Sequence, residues 1–425
     1  MNGVNATKLY CRPFDNLMEL LQGPSLKQST NIFSMKIPIT KPYLGEEEKA
    51  AMVRPLETGW VVQGPYVKEF EDKFAAFTKA EFAAATTSCT TALHLAVAAL
   101  DLKPNDEVIV PAFTWISTAN VVEFMGAKPI FCDIDLRTFN IDVSQVEKLI
   151  TSRTVGILPV HLFGLCADME PIMALARKHG LWVVEDAACG FGSWYNGRHA
   201  GTLGDAGCFS FHPRKSITTG EGGMVTTNQS TLDTLVRCLR DHGASRTDLA
   251  RHSGKAAFLL AEYNHLGYNY RMTDMQGAMG AVQMDRAELI LSERTRRARY
   301  YDAMLADLGW LETPLVPHGY VHGYQAYVCL FCPESPTLAN VERLHDWRNT
   351  LMLRLEEKGI ATRQGTHAPI ILGYYAQKYD LRPQQFPQAY LADRLGLTLP
   401  LYVQMTDEEQ DFVVKELQAT FRELQ

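Results

Sequence analysis

From about residue 83 onward, short apolar runs alternate with stretches of helical period. Ala92, Leu93, Leu95, Ala96, Ala99 and Leu100 recur at helical spacing behind a Thr/Ser-rich start at Thr86, which predicts a helix there. Apolar runs bounded by turn signals stand at residues 107–110, 128–134, 155–160, 181–184, 208–211 and 223–227 and read as strands. They are continuous rather than alternating, so both of their faces should be covered. That is the pattern of a mostly parallel sheet with crossover helices, an α/β fold. A long helix rich in Arg and Glu is expected after Met284, and a charged amphipathic helix from Thr406 to the end. The expected division is a large domain over residues 35–285 and a smaller C-terminal α/β domain over residues 286–425. Residues 1–34 carry no sustained period and read as an extension, because MKIPITKPYLGEEE from Met35 resembles a natural start.

Composition narrows the function classes. The chain has 425 residues, 46% hydrophobic and 21% charged, enough to bury a large core. Its net charge of −7 argues against nucleic acid or an anionic membrane as the main partner. No apolar run approaches the roughly 18 residues of a membrane helix, and the N-terminus lacks the pattern of a signal peptide. Nine cysteines, scattered without disulfide-like spacing, suggest reduced thiols and a cytoplasmic location. Cys329 and Cys332 form a C-x-x-C in an apolar stretch with no second ligand pair beside it. They read as core cysteines, and no metal is expected.

The chemistry-bearing residues lie just beyond strands. Residues 181–188, LWVVEDAA, are an apolar run that meets two carboxylates, Glu185 and Asp186. The run at 208–211 is followed by His212, Pro213, Arg214 and Lys215, then by the Gly-rich stretch TTGEGG at 218–223. In doubly wound sheets ligands bind at the carboxyl ends of strands, so neighbouring parallel strands would bring Asp186 and Lys215 to one crevice. Alone, each residue reads as an N-cap aspartate or a surface lysine. Together they suit pyridoxal 5′-phosphate (PLP): a lysine amine that forms an imine and shuttles a proton, and a carboxylate that keeps the pyridine nitrogen protonated. Thr87-Ser88-Cys89-Thr90-Thr91 at a helix start offers amides and hydroxyls to a phosphate, or a plain N-cap. Ser210 adds a hydroxyl, and Trp115 could stack on a flat cofactor or sit in the core.

The segments SFHPRKSITTGEGGMVTTN, VVEDAACGFGS, DEVIVPAFTW, TSCTTALHLA and LGYNYRMTD resemble the DegT-type sugar aminotransferases, a branch of the fold-type-I PLP enzymes. The likeness runs from about Ile37 to the end. It implies that Lys215 is the imine-forming lysine, Asp186 the pyridinium partner and Trp115 the stacking aromatic. Ser88, Cys89, Thr90 and Ser210 would hold the phosphate. Asn269 would reach the phosphate of the other subunit, giving a homodimer with shared active sites. Two positions depart from the family pattern. Cys89 replaces the usual Gly of the phosphate turn. Cys189 replaces the Gln or His that contacts the cofactor, and a thiol donates only weakly. Tyr43, Gln63, His161, Glu221 and His367 are expected near the substrate.

The expected reaction moves an amino group from L-glutamate to a keto-sugar, a nucleotide-linked 4-keto-6-deoxy hexose of the perosamine type. Its product would feed surface polysaccharides such as lipopolysaccharide O-antigen, or glycosides. Lys215 would act as base and acid in turn, from a dry, cationic neighbourhood. The alternatives are another sugar or cyclitol ketone or aldehyde as acceptor, a PLP-dependent sugar dehydratase, and a non-catalytic relative. The dehydratases carry His in place of the lysine, and Lys215 argues against them.

Overall fold

The computed structural model describes residues 35–245 and 261–425; the expected extension over residues 1–34 lies outside the described residues. Among the described residues, nine strands precede the helix Asp274–Asp285. They are β1 (Phe82–Thr86), β2 (Glu107–Pro111), β3 (Lys128–Cys132), β4 (Thr154–Ile157), β5 (Trp182–Asp186), β6 (Trp194–Tyr195), β7 (Arg198–His199), β8 (Ala206–Ser210) and β9 (Gly223–Thr227). Seven of them form one sheet in the order β1-β9-β8-β5-β4-β2-β3. The pairs β2–β3, β2–β4, β4–β5 and β5–β8 are parallel, as expected of a mostly parallel α/β sheet.

The exception has a simple cause. No helix separates β8 from β9, so the chain turns back and β9 runs antiparallel to both β8 and β1. This reversal puts the first residue of β9, Gly223, level with the last residues of β1 and β8. Gly223 pairs with Thr86 on one side and with Ser210 on the other.

Successive strand residues face opposite sides, and both sides are buried. Val108, Val110, Val184, Cys208 and Val225 enter one core, while Ile109, Val183, Phe209 and Met224 enter the other. Two covered faces explain why the strands read as unbroken apolar runs. The strand β1 has the sequence FAAAT, which lacks the β-branched and aromatic residues that announce a strand. Its alanines are nevertheless buried.

Past the large sheet, the helices Asp274–Asp285 and Ala287–Leu305 follow one another directly. The second straddles two cores: Ala287 and Ile290 pack with the large sheet, and Ala298, Tyr301 and Leu305 with a third cluster. That third cluster fills a smaller antiparallel sheet of β10 (Leu311–Glu312), β12 (Tyr327–Phe331) and β13 (Gly396–Leu399), while β11 (Tyr320–Val321) pairs with β6. Cys329 and Cys332 are buried at β12. The last helix, Asp407–Glu423, is capped by Thr406, whose hydroxyl accepts from the Glu409 amide at 3.1 Å.

Candidate active site

Because β5 and β8 are parallel neighbours, Asp186 stands level with Cys208, two residues before the end of β8. Beyond Ser210 the chain turns tightly, the Lys215 amide donating to the His212 carbonyl at 2.8 Å. The half-buried Lys215 side chain then returns toward the segment after β5, where Nζ donates to Cys189 Sγ at 3.1 Å. Asp186 and Lys215 thus share one edge of the sheet.

Asp186 is buried and held on both oxygens. Thr118 Oγ1 donates to Oδ2 at 2.7 Å, and the Ala188 amide to Oδ1 at 3.1 Å. Burial raises this carboxyl above the ordinary aspartate value, and the two bonds and the nearby Lys215 offset only part of that rise. For Lys215, burial disfavours the ammonium, but Cys189, Cys89 and Asp186 outweigh it and hold the amine above the usual lysine value. The expected cationic neighbourhood is therefore not what surrounds the amine. A carboxylate and two sulfurs face it instead, and they favour the charged form.

The turn before the helix Cys89–Ala99 presents free backbone donors. Ser88 is the N-cap, its hydroxyl accepting from the Thr91 amide at 3.2 Å. The next two amides, of Cys89 and Thr90, belong to the first turn and have no intrahelical partner by geometry. Cys89 adopts no left-handed backbone, so its β-carbon is tolerated where the family usually has Gly. Burial, then Asp186, pushes its thiol well above the ordinary value. Gly223 closes the cradle from the sheet side: a β-carbon there would lie 2.4 Å from both the carbonyl carbon and the oxygen of Ser88. Ser210 stands beside it across the β8–β9 pair. Thr90 Oγ1 donates to Ser117 Oγ at 2.9 Å.

Trp115 is 56% exposed, so it is not a core tryptophan. Its ring centroid lies 6.1 Å from that of His367, inclined by 39°, and the Thr114 amide donates to the His367 carbonyl at 3.0 Å. Two residues far apart in sequence are so brought together. Glu221 is exposed, and its backbone carbonyl accepts from Thr219 Oγ1 and Gln276 Nε2. Tyr43 lies under the Arg286 guanidinium, 4.7 Å from its ring centroid. Its carbonyl accepts from Gln283 Nε2, while Gln283 Oε1 accepts from the amide of Thr218, three residues past Lys215. Gln63 precedes Gly64, whose amide donates to Asp274 Oδ1 at 2.9 Å.

Asn269 is exposed, on a segment clamped by its neighbours. The Tyr268 and Tyr270 amides donate to the Leu239 and Arg240 carbonyls, and the Tyr270 carbonyl accepts from the Thr87 amide, just before the helix Cys89–Ala99. The rings of Tyr268 and Tyr270 stack 5.0 Å apart.

His161 does not line the site. It is 0% exposed, its Nδ1 accepts from the Ala167 amide at 3.0 Å, and its Nε2 meets Glu185 Oε2 at 2.7 Å. With both ring nitrogens engaged inside the protein, it has nothing to offer a substrate. Burial alone would raise the Glu185 carboxyl, but His161 and the Gly204 and Gly201 amides hold it below the ordinary value. Sequence reading missed Thr118 and had Gly223 only as part of the Gly-rich stretch 218–223. The i,i+4 pair Thr114 and Thr118 around Trp115, whose hydroxyls lie 2.9 Å apart, was the available signal for the first.

Comparison with known proteins gives the family. Residues 42–418 match the model of the DegT/DnrJ/EryC1/StrS aminotransferase family. GDP-perosamine synthase of Caulobacter vibrioides is 37% identical over 383 residues, covering 90% of this chain and 97% of that one. The structure of Spr1654 from Streptococcus pneumoniae in its PLP form superposes with a TM-score of 0.84 at 26% identity, covering 92% of this chain and 100% of that one. DesV of S. venezuelae, in complex with a ketimine intermediate, gives 0.79 at 28% identity, covering 90% and 98%. The chain belongs to the DegT/DnrJ/EryC1/StrS aminotransferase family, and with it to the PLP-dependent aminotransferases.

Proposed function

We propose that the chain transfers an amino group from L-glutamate to a nucleotide-linked 4-keto-6-deoxy hexose, with Lys215 as the residue that binds PLP covalently and moves the substrate proton. The observation that carries this reading is the convergence of Lys215 and buried Asp186 at one sheet edge, beside a turn with two unpaired amides. The likeness to GDP-perosamine synthase supports the acceptor.

The residues present fit PLP. The Ser88–Thr90 turn offers a phosphate the amides of a helix start beside Ser210, and Gly223 packs so closely on the Ser88 backbone that a β-carbon there would overlap it. Exposed Trp115 offers a flat face. PLP, when bound, supplies an aldehyde that captures amines and a ring that takes up the electron pair left when a proton departs. Buried Asp186, as a carboxylate beside the ring nitrogen, favours that nitrogen's protonated form. Lys215 Nζ takes a proton from the amino donor and returns one to the acceptor, and it must be unprotonated before it takes one. Asn269, exposed on its clamped segment, supports a homodimer in which that side chain completes the partner's phosphate site. The enzyme works in the cytoplasm and supplies an amino sugar for surface polysaccharide or glycoside synthesis.

The test is a single-site one. Borohydride reduction of PLP-loaded protein should leave one labelled peptide, containing Lys215, and Lys215→Ala should neither label nor respond to glutamate. A label on another lysine would overturn the assignment. Glutamate-loaded enzyme offered a panel of nucleotide keto-sugars should turn over the 4-keto-6-deoxy members; turnover of other ketones alone would overturn the acceptor.

A further inference from the structure

The peptide that joins Arg214 to Lys215 is held at both of its poles. Its N–H, on Lys215, donates to the His212 carbonyl at 2.8 Å. Its carbonyl, on Arg214, accepts from the side-chain amide of Gln325 at 2.9 Å. The first bond is local to the turn after β8. The second comes from 111 residues beyond Arg214, out of the segment that leads into β12. A peptide unit is planar, so holding both poles fixes the plane from which the Lys215 side chain departs.

The donor has little freedom of its own. Residues 322–326 dock on the chain beyond β4, the Gly323 and Ala326 amides donating to the Gly164 and Phe163 carbonyls at 2.8 and 3.2 Å. Tyr324 has a φ of 43°, in the left-handed region that a bulky side chain seldom enters. Its amide donates to Nδ1 of buried His322 at 2.8 Å. Its carbonyl accepts from buried Arg294 of the helix Ala287–Leu305 at 2.9 Å, and the same guanidinium donates to the Gln325 carbonyl. A residue stays in such a conformation only where its surroundings over-determine it, and strain of this kind gathers at functional sites. The Gln325 side chain carries that rigidity to the turn bearing Lys215.

We propose that Gln325 is a positioning residue for Lys215, fixing the Arg214–Lys215 peptide so that Nζ keeps its aim at the reacting atoms. A lysine side chain is a flexible four-carbon stem, so this peptide is the last rigid point before the amine. A misplacement of about 1 Å at a reacting atom can cost about a hundredfold in rate. Arg214 is exposed and Gln325 half-buried, so water can replace the lost donor and the fold does not depend on the bond. The inference rests on Lys215 as the PLP-binding lysine, which borohydride mapping of the unaltered protein tests separately.

The experiment compares the wild type with Gln325→Ala and with Gln325→Met, which keeps the length of the side chain without its donor. The readouts are the melting temperature of the cofactor-free protein, the rate at which it captures PLP, followed by absorbance, and the single-turnover rate with glutamate over a range of concentrations. In both variants the capture rate and the saturating glutamate rate should fall about tenfold. The glutamate concentration giving half that rate, and the melting temperature, should stay at their wild-type values. Wild-type rates in Gln325→Met would overturn the proposal, since filling the space would then suffice. So would a lowered melting temperature with unchanged rates, which would make the bond purely structural. A loss confined to glutamate affinity would also overturn it, making Gln325 a substrate-binding residue. If borohydride labels Lys215 in the wild type while Gln325→Met keeps both rates, only the role of Gln325 fails; a label on another lysine ends both readings.

Discussion

Thr118 Oγ1 donates to Asp186 Oδ2 at 2.7 Å, a bond that ties the helix Ser117–Phe124 to the end of β5. Thr118 in turn lies 2.9 Å from the hydroxyl of Thr114, so a short relay of hydroxyls fixes which way the buried carboxylate faces. In a dry site an unpaired carboxylate oxygen is costly, and a misdirected one would not meet a ring nitrogen.

Thr118→Val should therefore weaken the site without emptying it. Removing one donor to a buried carboxylate costs about 1–3 kcal/mol. PLP affinity, measured by absorbance titration, should fall by about 5- to 150-fold, and Thr118→Ser should restore it. Unchanged affinity in the valine variant would mean that the bond does not orient Asp186.

Gly223 tests the proposed phosphate cradle. Its β-carbon would sit 2.4 Å from the Ser88 carbonyl, and both partners are backbone, so one strand must move. Overpacking of this kind costs about 1–3 kcal/mol. Gly223→Ala should lower the melting temperature and weaken PLP binding together; a variant that binds PLP normally would show that the turn can shift without loss.

His161 makes a contrasting case. Both it and Glu185 are fully buried; truncating His161 removes one bond to Glu185, which keeps the Gly201, Leu203 and Gly204 amides. His161→Ala should cost about 1–3 kcal/mol of stability while leaving KM for the keto-sugar unaltered in the protein that folds. A raised KM with normal melting would return His161 to the substrate site.

Acid should destabilise the fold through two other histidines. His199 and His322 are buried, and desolvation lowers their pKa values from 6.5 to about 4 and about 3. Below pH 6.5 the unfolded chain binds protons that the native chain refuses, so stability falls as the pH drops toward about 4. For His199 the loss amounts to about 3 kcal/mol. Thermal melts across this range should show it, and His199→Gln should flatten the curve; an equally steep decline would remove His199 as a cause.

Much of this was legible along the chain, because burial on both faces writes itself as unbroken apolar runs. The strands ending near Asp186 and Lys215 could be read that way. The strand β1 could not, since three alanines carry little strand preference, and only its pairing with β9 makes it one. Nor could the antiparallel turn of β9, which depends on the missing crossover helix.

Sequence alone determined which residue types were available at the ends of strands: an amine, a carboxylate, a Ser/Thr turn and a Gly-rich return. Local order is enough for that, because turn chemistry and apolar period act over a few residues. Only the tertiary structure decided their company. It set Cys189 against Lys215, Thr118 against Asp186 and His367 beside Trp115, and it withdrew His161 into the core. Those pairings join distant segments, and strand order and packing, rather than spacing along the chain, determine which side chains meet.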